Sequence, residues 1–193
     1  MCGRCRFTKK ESGKFSEMIQ RIEARHGVDA FGFEEICPGS MVPVLMPSPD
    51  GPILNLSCWG FRTSKSLVIN ARAETAAEKP MFRDGILLRR CAIPSTGFFE
   101  WDGSRRKYLF TLPGEEILYM AGIFEIREGR SFHCILTTAA NSSVREVHGR
   151  MPLVLTREQV GPWIDNTAET ASFLRMTPPA LEKKLMDDQI SLW

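Results

Sequence analysis

The 193-residue sequence has no apolar run approaching the roughly 20 residues that a membrane-spanning helix needs, which argues against a chain that crosses a bilayer by helices. Its first 15 residues also lack an apolar segment, so we expect no secretory signal and a cytoplasmic location. In a reducing compartment the six cysteines are expected to be thiols. The three histidines stand far apart and only one Cys-x-x-Cys occurs, so we expect neither a metal nor a cofactor.

A strong charge of either sign is also missing. The net charge of +2 does not by itself indicate a nucleic-acid binder, whereas 43% hydrophobic and 25% charged residues are typical of a globular domain with a core of its own. We find no internal repeat, low-complexity tract or long linker. The sequence therefore predicts a single domain over residues 1–193.

Hydrophobic spacing predicts a mixture of helices and paired strands. Apolar residues at helical spacing predict an amphipathic helix within 11–26, and the capping-box pattern of Thr156 and Gln159 predicts a later helix that begins near Thr156. Strands are predicted at 67–71, 86–94, 108–112, 119–126 and 131–138. Because these strands come in pairs and do not alternate with helices, we expect a compact α+β domain around a twisted, mostly antiparallel sheet.

Cys2 carries the most chemical information. Once Met1 is trimmed, this residue has an α-amine beside its thiol, and an α-amine titrates near about 8, far below lysine. With an aldehyde, such an amine forms an imine that the neighbouring thiol can close into a five-membered ring. The alternatives are a chemically silent cysteine, or a metal or redox role for Cys2 and Cys5, for which the sequence supplies no second ligand pair.

Three further polar residues suggest chemistry. Asn70 ends an apolar strand, where its amide could orient an amine or hold an oxyanion, or simply form a turn. Glu100 shares one face of a strand with Phe98, where desolvation would raise its pKa towards the general-acid range, unless it lies at a solvated edge. His148 precedes Arg150 by two residues, which would suit acid–base chemistry on a phosphate-bearing substrate, although a lone histidine is often structural.

Together with the start of the chain, these segments resemble the SOS-response-associated peptidase (SRAP) family, in order and spacing, over about residues 1–165. The matching segments are Met1-Cys2-Gly3-Arg4, Cys37-Pro38-Gly39-Ser40 leading to Val42-Pro43-Val44, Trp59-Gly60, Asn70-Ala71-Arg72-Ala73-Glu74-Thr75, Arg90-Cys91-Ala92-Ile93-Pro94 leading to Gly97-Phe98-Phe99-Glu100-Trp101, Leu136-Thr137-Thr138-Ala139-Ala140-Asn141, and His148-Gly149-Arg150-Met151-Pro152. The family fold is a compact α+β domain around a twisted antiparallel sheet.

The resemblance implies a sensor that crosslinks covalently to abasic sites in single-stranded DNA. Cys2, after loss of Met1, would close a thiazolidine on the open-chain aldehyde of the abasic sugar. Asn70 would position Cys2, and Glu100 would transfer protons during imine formation. His148 would act in opening of the sugar ring and in reversal of the crosslink. The peptidase of the family name would describe a thiol autopeptidase activity that removes the residue before Cys2.

The resemblance also implies a DNA surface. Arg4, Arg72 and Arg150 match basic positions that hold phosphates, and Trp59 and Pro38 match positions that present apolar groups to the bases. The expected partner is single-stranded DNA with abasic sites, bound by a monomer that is nucleoid-associated if bacterial and contacts no membrane. The sequence departs from the family at 61–66, where a short polar stretch replaces an apolar one, and residues 166–193 form an extension without a usable motif.

Two other functions remain open at this point. An N-terminal-nucleophile hydrolase, either an autoproteolytic peptidase or a glutamine amidotransferase, would use the Cys2 thiolate on an amide and Asn70 in an oxyanion hole, but it gives the three arginines no role. A plain single-strand-binding domain would leave the set of Cys2, Glu100 and His148 unexplained.

Overall fold

The computed structural model describes residues 3–8, 13–26, 34–165 and 167–186. The strands in these ranges are β1 (Cys5–Phe7), β2 (Glu34–Ile36), β3 (Met41–Met46), β4 (Ile53–Trp59), β5 (Phe61–Arg62), β6 (Leu67–Val68), β7 (Asn70–Arg72), β8 (Arg90–Ser95), β9 (Gly97–Trp101), β10 (Lys107–Thr111), β11 (Leu118–Arg127), β12 (Arg130–Ala139), β13 (Arg150–Pro152), β14 (Val154–Leu155) and β15 (Glu182–Leu185). The α-helices are α1 (Lys14–His26), α2 (Ala73–Ala76), α3 (Pro80–Leu88), α4 (Arg157–Asp165) and α5 (Thr170–Arg175). No helix among the described residues is long and apolar enough to span a membrane.

The core of the fold is a closed barrel. Strands β12, β4, β3, β8 and β11 pair in that order, and β11 pairs back onto β12. Beyond the barrel, β12 continues between β7 on one side and β13 on the other, and β14 adds to β11. The pairings are antiparallel except those of β12 with β4 and with β7, so the prediction of a mostly antiparallel α+β fold is confirmed.

A second sheet, in the order β15-β10-β9-β1-β2, packs beside the barrel. The chain passes from β8 of the barrel into β9 of this sheet at Gly97. Gly97 has a φ of +153°, and a Cβ at this position would lie 2.8 Å from the carbonyl oxygen of Phe110. Glycine is therefore needed at this crossing, and it is the crossing that carries Glu100 into the second sheet.

Both predicted helices are present, and one predicted strand needs a correction. The amphipathic helix is present as α1, and α4 begins directly after Thr156, whose backbone N–H donates to Gln159 Oε1 at 2.9 Å as the capping box requires. The strand predicted at 86–94 is wrong over 86–88, which belong to α3. Phe82 and Ile86 are buried at i, i+4 spacing there, so packing of one helical face outweighs the strand tendency of the apolar run.

The first residue of β8 closes the ends of two helices. Arg90 is buried, and its guanidinium donates to carbonyl oxygens of Ile86 and Leu87 in α3 and of Trp163 and Ile164 in α4. These are terminal carbonyls that have no partner within their own helix. Because the charge is placed where both helix dipoles are negative, Arg90 of the motif 90–94 has a structural role.

The last described residues also pack on the domain. β15 pairs with β10 as an edge strand of the second sheet. Asn141 donates from its side-chain amide to the carbonyl oxygens of Pro178 and Pro179, both at 3.0 Å. Asn141, part of the resemblance motif 136–141, therefore anchors the segment that follows α5.

Candidate functional site

Two of the predicted site residues, Glu100 and Pro38, lie at the end of the second sheet where β1 begins. Cys5 pairs with Ile36 of β2 and with Phe98 of β9, and the Phe99 N–H donates to the Arg4 carbonyl oxygen at 3.0 Å. The antiparallel register therefore places the start of β1, at residues 3 and 4, beside both the end of β2 and the end of β9. Glu100 stands near the end of β9, and Pro38 follows β2. Cys2 lies outside the described residues and is joined to Gly3 by one peptide bond.

The turn that follows β2 fixes Pro38. The Ser40 N–H donates to the Cys37 carbonyl oxygen at 3.2 Å, and Gly39 has a φ of +89°. Proline followed by a glycine of positive φ is the sequence that a type II turn prefers. The Gly39 N–H donates to the Trp59 carbonyl oxygen at 2.8 Å, which ties this turn to the barrel and leaves Pro38 half-buried.

Glu100 faces the interior. It alternates along β9 with Phe99 and shares a face with Phe98, whose ring stacks on Phe110 with centroids 5.2 Å apart. Only 3% of Glu100 is exposed. Burial raises the pKa of the Glu100 carboxyl, and the nearby His148 opposes this rise. The sequence prediction of a desolvated carboxyl with a raised pKa is confirmed, and the electrostatic effect of His148 places the two groups in one neighbourhood.

His148 ends a tight turn between β12 and β13. The His148 backbone N–H donates to the Val144 carbonyl oxygen at 3.0 Å. The ring nitrogen Nδ1 of His148 lies 3.1 Å from the backbone nitrogen of Arg150 and 3.0 Å from its carbonyl oxygen. The backbone of Arg150 can therefore donate to an unprotonated Nδ1 or accept from a protonated one. These contacts fix the orientation of the half-buried ring.

Arg150 is held by two elements. Its Nη1 and Nη2 atoms lie 2.6 and 2.8 Å from the two carboxylate oxygens of Glu74, and Nη2 also donates to the Thr137 carbonyl oxygen at 2.7 Å. Arg72 of β7 pairs with Thr137 from the opposite edge of β12 and is exposed. Both arginines thus lie around Thr137, although Arg150 is bound to an acid and Arg72 presents its side chain to solvent.

Trp59 does not occupy the predicted place. Its side chain is 1% exposed, and its Nε1–H donates to the Ile69 carbonyl oxygen at 3.1 Å. This position does not fit the predicted contact with DNA bases, because the indole has no exposed face. Ile69 directly precedes Asn70, and the Ile135 N–H also donates to the Ile69 carbonyl oxygen. Trp59 therefore acts in the barrel wall, where it fixes the backbone that enters Asn70.

Arg4, a predicted phosphate ligand, directly precedes β1. It alternates with the buried Cys5, so its side chain points away from the face that carries Glu100. The Arg4 guanidinium binds Glu35 at 3.1 Å, and Glu35 also binds Lys107. Arg4 is thus separated by the sheet from Glu100.

The sequence did not single out His133, although it is completely buried. Its ring lies parallel to Trp59, with centroids 6.5 Å apart, and neither ring nitrogen has a hydrogen-bond partner in the described structure. Burial lowers the pKa of His133 to about 3. The barrel wall thus holds a neutral imidazole that cannot be charged without a large cost.

We expect this histidine to make stability fall at acidic pH. The folded-state pKa of about 3 lies below the value of about 6.5 for an unfolded chain, so the unfolded chain binds the extra proton between these limits. The contribution of His133 to the free energy of unfolding is fully present above about pH 6.5. It decreases by about 1.4 kcal/mol per pH unit as the pH falls towards 3. Urea unfolding at pH 7.5 and pH 5 should reveal a loss of about 2 kcal/mol that His133→Gln removes. An equal pH effect in the variant would contradict this origin.

The fold and these side chains define a class of protein: a small α+β domain made of a barrel and a second sheet, with a buried carboxyl, a half-buried histidine and two arginines beside Thr137. A family model for the SOS response associated peptidase (SRAP) matches residues 1–191. The chain belongs to this family. The matched range extends beyond the motifs that carried the resemblance and includes the segment that packs against Asn141.

Individual relatives have related names. The abasic site processing protein YoqW of Bacillus subtilis is 36% identical over 107 residues, which are 51% of this chain and 48% of that protein, so the match spans about half the length of each. The abasic site processing protein YedK of Escherichia coli is 28% identical over 177 residues, 85% of this chain and 79% of that protein. A crystal structure of a Bacteroides thetaiotaomicron protein has the same fold, with a TM-score of 0.79 at 23% identity over 97% of this chain and 93% of that one.

Proposed function

We propose that this protein senses abasic sites in single-stranded DNA and forms a covalent thiazolidine with them through Cys2, after removal of Met1. The observation that carries the proposal is the buried Glu100 with His148 in its electrostatic neighbourhood, at the end of the sheet where the chain starts. The relatives YoqW and YedK, named abasic site processing proteins, support the same lesion.

The chemistry follows from the two groups of a terminal cysteine. The α-amine adds to the aldehyde carbon of the open abasic sugar, and the resulting carbinolamine loses its oxygen as water to give an imine. The Cys2 thiol then adds across the C=N bond: its sulfur bonds to carbon and its proton goes to nitrogen. Ring closure is favourable because the thiol and the imine belong to one residue. The net reaction releases one water and needs no oxidant or cofactor.

Glu100 and His148 supply the proton transfers. Loss of the carbinolamine oxygen as water needs a proton, and a carboxyl whose pKa is raised by burial keeps its proton to a higher pH than an exposed glutamate does. His148 opens the sugar ring by moving a proton between the ring oxygen and the hydroxyl group of the sugar. Asn70 at the start of β7 is proposed to orient the amine of Cys2, on a backbone that Trp59 and Ile135 fix.

Arg72 is the proposed phosphate ligand of this site. It is exposed beside Thr137, whereas Arg150 nearby is bound to Glu74, so we expect Arg72→Gln to weaken binding to damaged and undamaged strands equally. Its loss should reduce the slope of log affinity against log salt by about 0.7, the contribution of one phosphate on a single strand. Fluorescence anisotropy titrations at several salt concentrations measure this slope.

Arg130→Gln is the matched control for this titration. Arg130 is also exposed on β12 but stands seven residues before Thr137, about 20 Å along the strand. It should leave the slope unchanged. If Arg72→Gln leaves the slope at its wild-type value, Arg72 does not contact phosphate.

The proposal as a whole is tested by intact mass spectrometry, before and after incubation with a single strand that contains one abasic site. We expect a protein that lacks Met1 and a covalent product of the mass of protein plus DNA minus one water. A thiol hydrolase would instead release a product from an amide substrate and leave the DNA free. Loss of Met1 without formation of an adduct would refute the proposed function.

A further inference from the structure

Glu74 lies next to this site, on the first turn of α2 directly after β7. Its two carboxylate oxygens bind Nη1 and Nη2 of Arg150 at 2.6 and 2.8 Å, in the paired geometry that a guanidinium and a carboxylate prefer. The hydrogen bonds from Arg150 lower the pKa of the Glu74 carboxyl, so the acid is ionised at neutral pH. Arg150 is only 21% exposed, and the pair is thus partly shielded from water and salt.

The pair is connected to His148 by short contacts. The backbone of Arg150 supplies both hydrogen-bonding groups near His148 Nδ1, at 3.0 and 3.1 Å. This backbone belongs to β13, which has only three residues and, within the part of the chain that the structure describes, pairs only with β12. Such a short end strand has few ladder hydrogen bonds to hold it. The Arg150 side chain adds an anchor, because it reaches past the Thr137 carbonyl to α2 on the far side of β12.

We propose that Glu74 is a positioning residue for His148: by fixing both nitrogens of the Arg150 fork, it holds the backbone that carries the His148 ring in place. This inference rests on the proposed function, in which His148 moves protons. A glutamine at position 74 has only one acceptor oxygen and no charge, so it could not bind both nitrogens of the fork, and the side chain of Arg150 would regain rotational freedom. The ring of His148 would then sample positions away from the reacting sugar.

A double-mutant cycle tests this connection. We expect Glu74→Gln to slow adduct formation at saturating abasic DNA by about 10–100-fold, the loss that a misplaced reacting group brings. In a His148→Ala background, Glu74→Gln should cause no further slowing, since the residue through which it acts is gone. Affinity for an undamaged strand should not fall, because removing an acid does not weaken the attraction to phosphate.

The control is Glu125→Gln. Glu125 binds Arg127 at 2.8 Å on the far part of the β11–β12 hairpin, so this variant removes the same charge and also leaves an arginine without its acid. It should crosslink at the wild-type rate. Equal slowing by Glu74→Gln in the wild-type and His148→Ala backgrounds would overturn the proposal, and so would a wild-type rate in Glu74→Gln.

A measurement without DNA separates this inference from the proposed function. Long-range ¹H–¹⁵N spectra report the ring nitrogens, and the His148 signals can be assigned by their loss in His148→Ala. We expect Glu74→Gln, but not Glu125→Gln, to move these signals towards those of a free imidazole. Unchanged signals would contradict the positioning role. If the wild-type protein forms no adduct while these signals do move, the proposed function fails and the contact between Glu74 and the His148 support stands.

Discussion

Replacement of Cys2 by alanine is expected to abolish the stable adduct with abasic single-stranded DNA. Alanine keeps the α-amine after Met1 is removed, so an imine can still form, but the thiol that closes the ring is absent. An imine hydrolyses on denaturation, whereas a thiazolidine survives. Denaturing gel electrophoresis should therefore show no shifted band for Cys2→Ala, and borohydride added during incubation should restore one by reducing the imine. Cys2→Ser should behave in the same way.

The matched control for this experiment is Cys37→Ala. Cys37 is a half-buried thiol that follows β2, at the same end of the second sheet as Gly3. Its removal should leave the adduct intact, which separates a thiol at the chain start from a thiol that is merely near the site. A stable adduct in Cys2→Ala without borohydride would mean that another group forms the bond, and the terminal-cysteine chemistry would be wrong.

Local patterns were sufficient to predict much of the fold. The strands at 119–126 and 131–138, the amphipathic helix within 11–26 and the capping box at Thr156 each depend on residues close in sequence, where alternation, helical spacing and capping act directly. The barrel closure could not be predicted in this way. It depends on β12 pairing in parallel with β4, some 70 residues earlier, and no local pattern specifies that partner.

The candidate site was predictable to the same degree. Glu100 was found because alternation along one strand determines which face it occupies, and the burial of that face follows from Phe98. The pairing of Glu74 with Arg150 joins positions 76 residues apart, so no local pattern in the sequence specifies it. Trp59 was misplaced because its role came only from the resemblance, and the burial of its indole in the barrel wall cannot be seen in the sequence.

The second large effect is expected for Glu100→Gln. Glutamine preserves the size of the side chain and can still donate and accept hydrogen bonds, but it cannot release a proton to the departing carbinolamine oxygen. A positioned acid of this kind commonly contributes about 10²–10⁴-fold to a rate, and we expect crosslinking to slow by that range while affinity for an undamaged strand is preserved. Single-turnover time courses, with an equilibrium titration on undamaged DNA, measure the two quantities separately.

The pH dependence of that rate identifies the proton donor. Burial raises the Glu100 pKa, so the carboxyl loses its proton at a higher pH than an exposed glutamate, and the catalysed rate should fall as the pH passes through that raised value. The same decrease should be missing in Glu100→Gln, in which no carboxyl titrates, and the dependence on the free α-amine should remain. A wild-type rate in the variant would refute the acid role. A large loss of affinity with normal chemistry would instead mean that Glu100 supports the site as a buried hydrogen-bonding group.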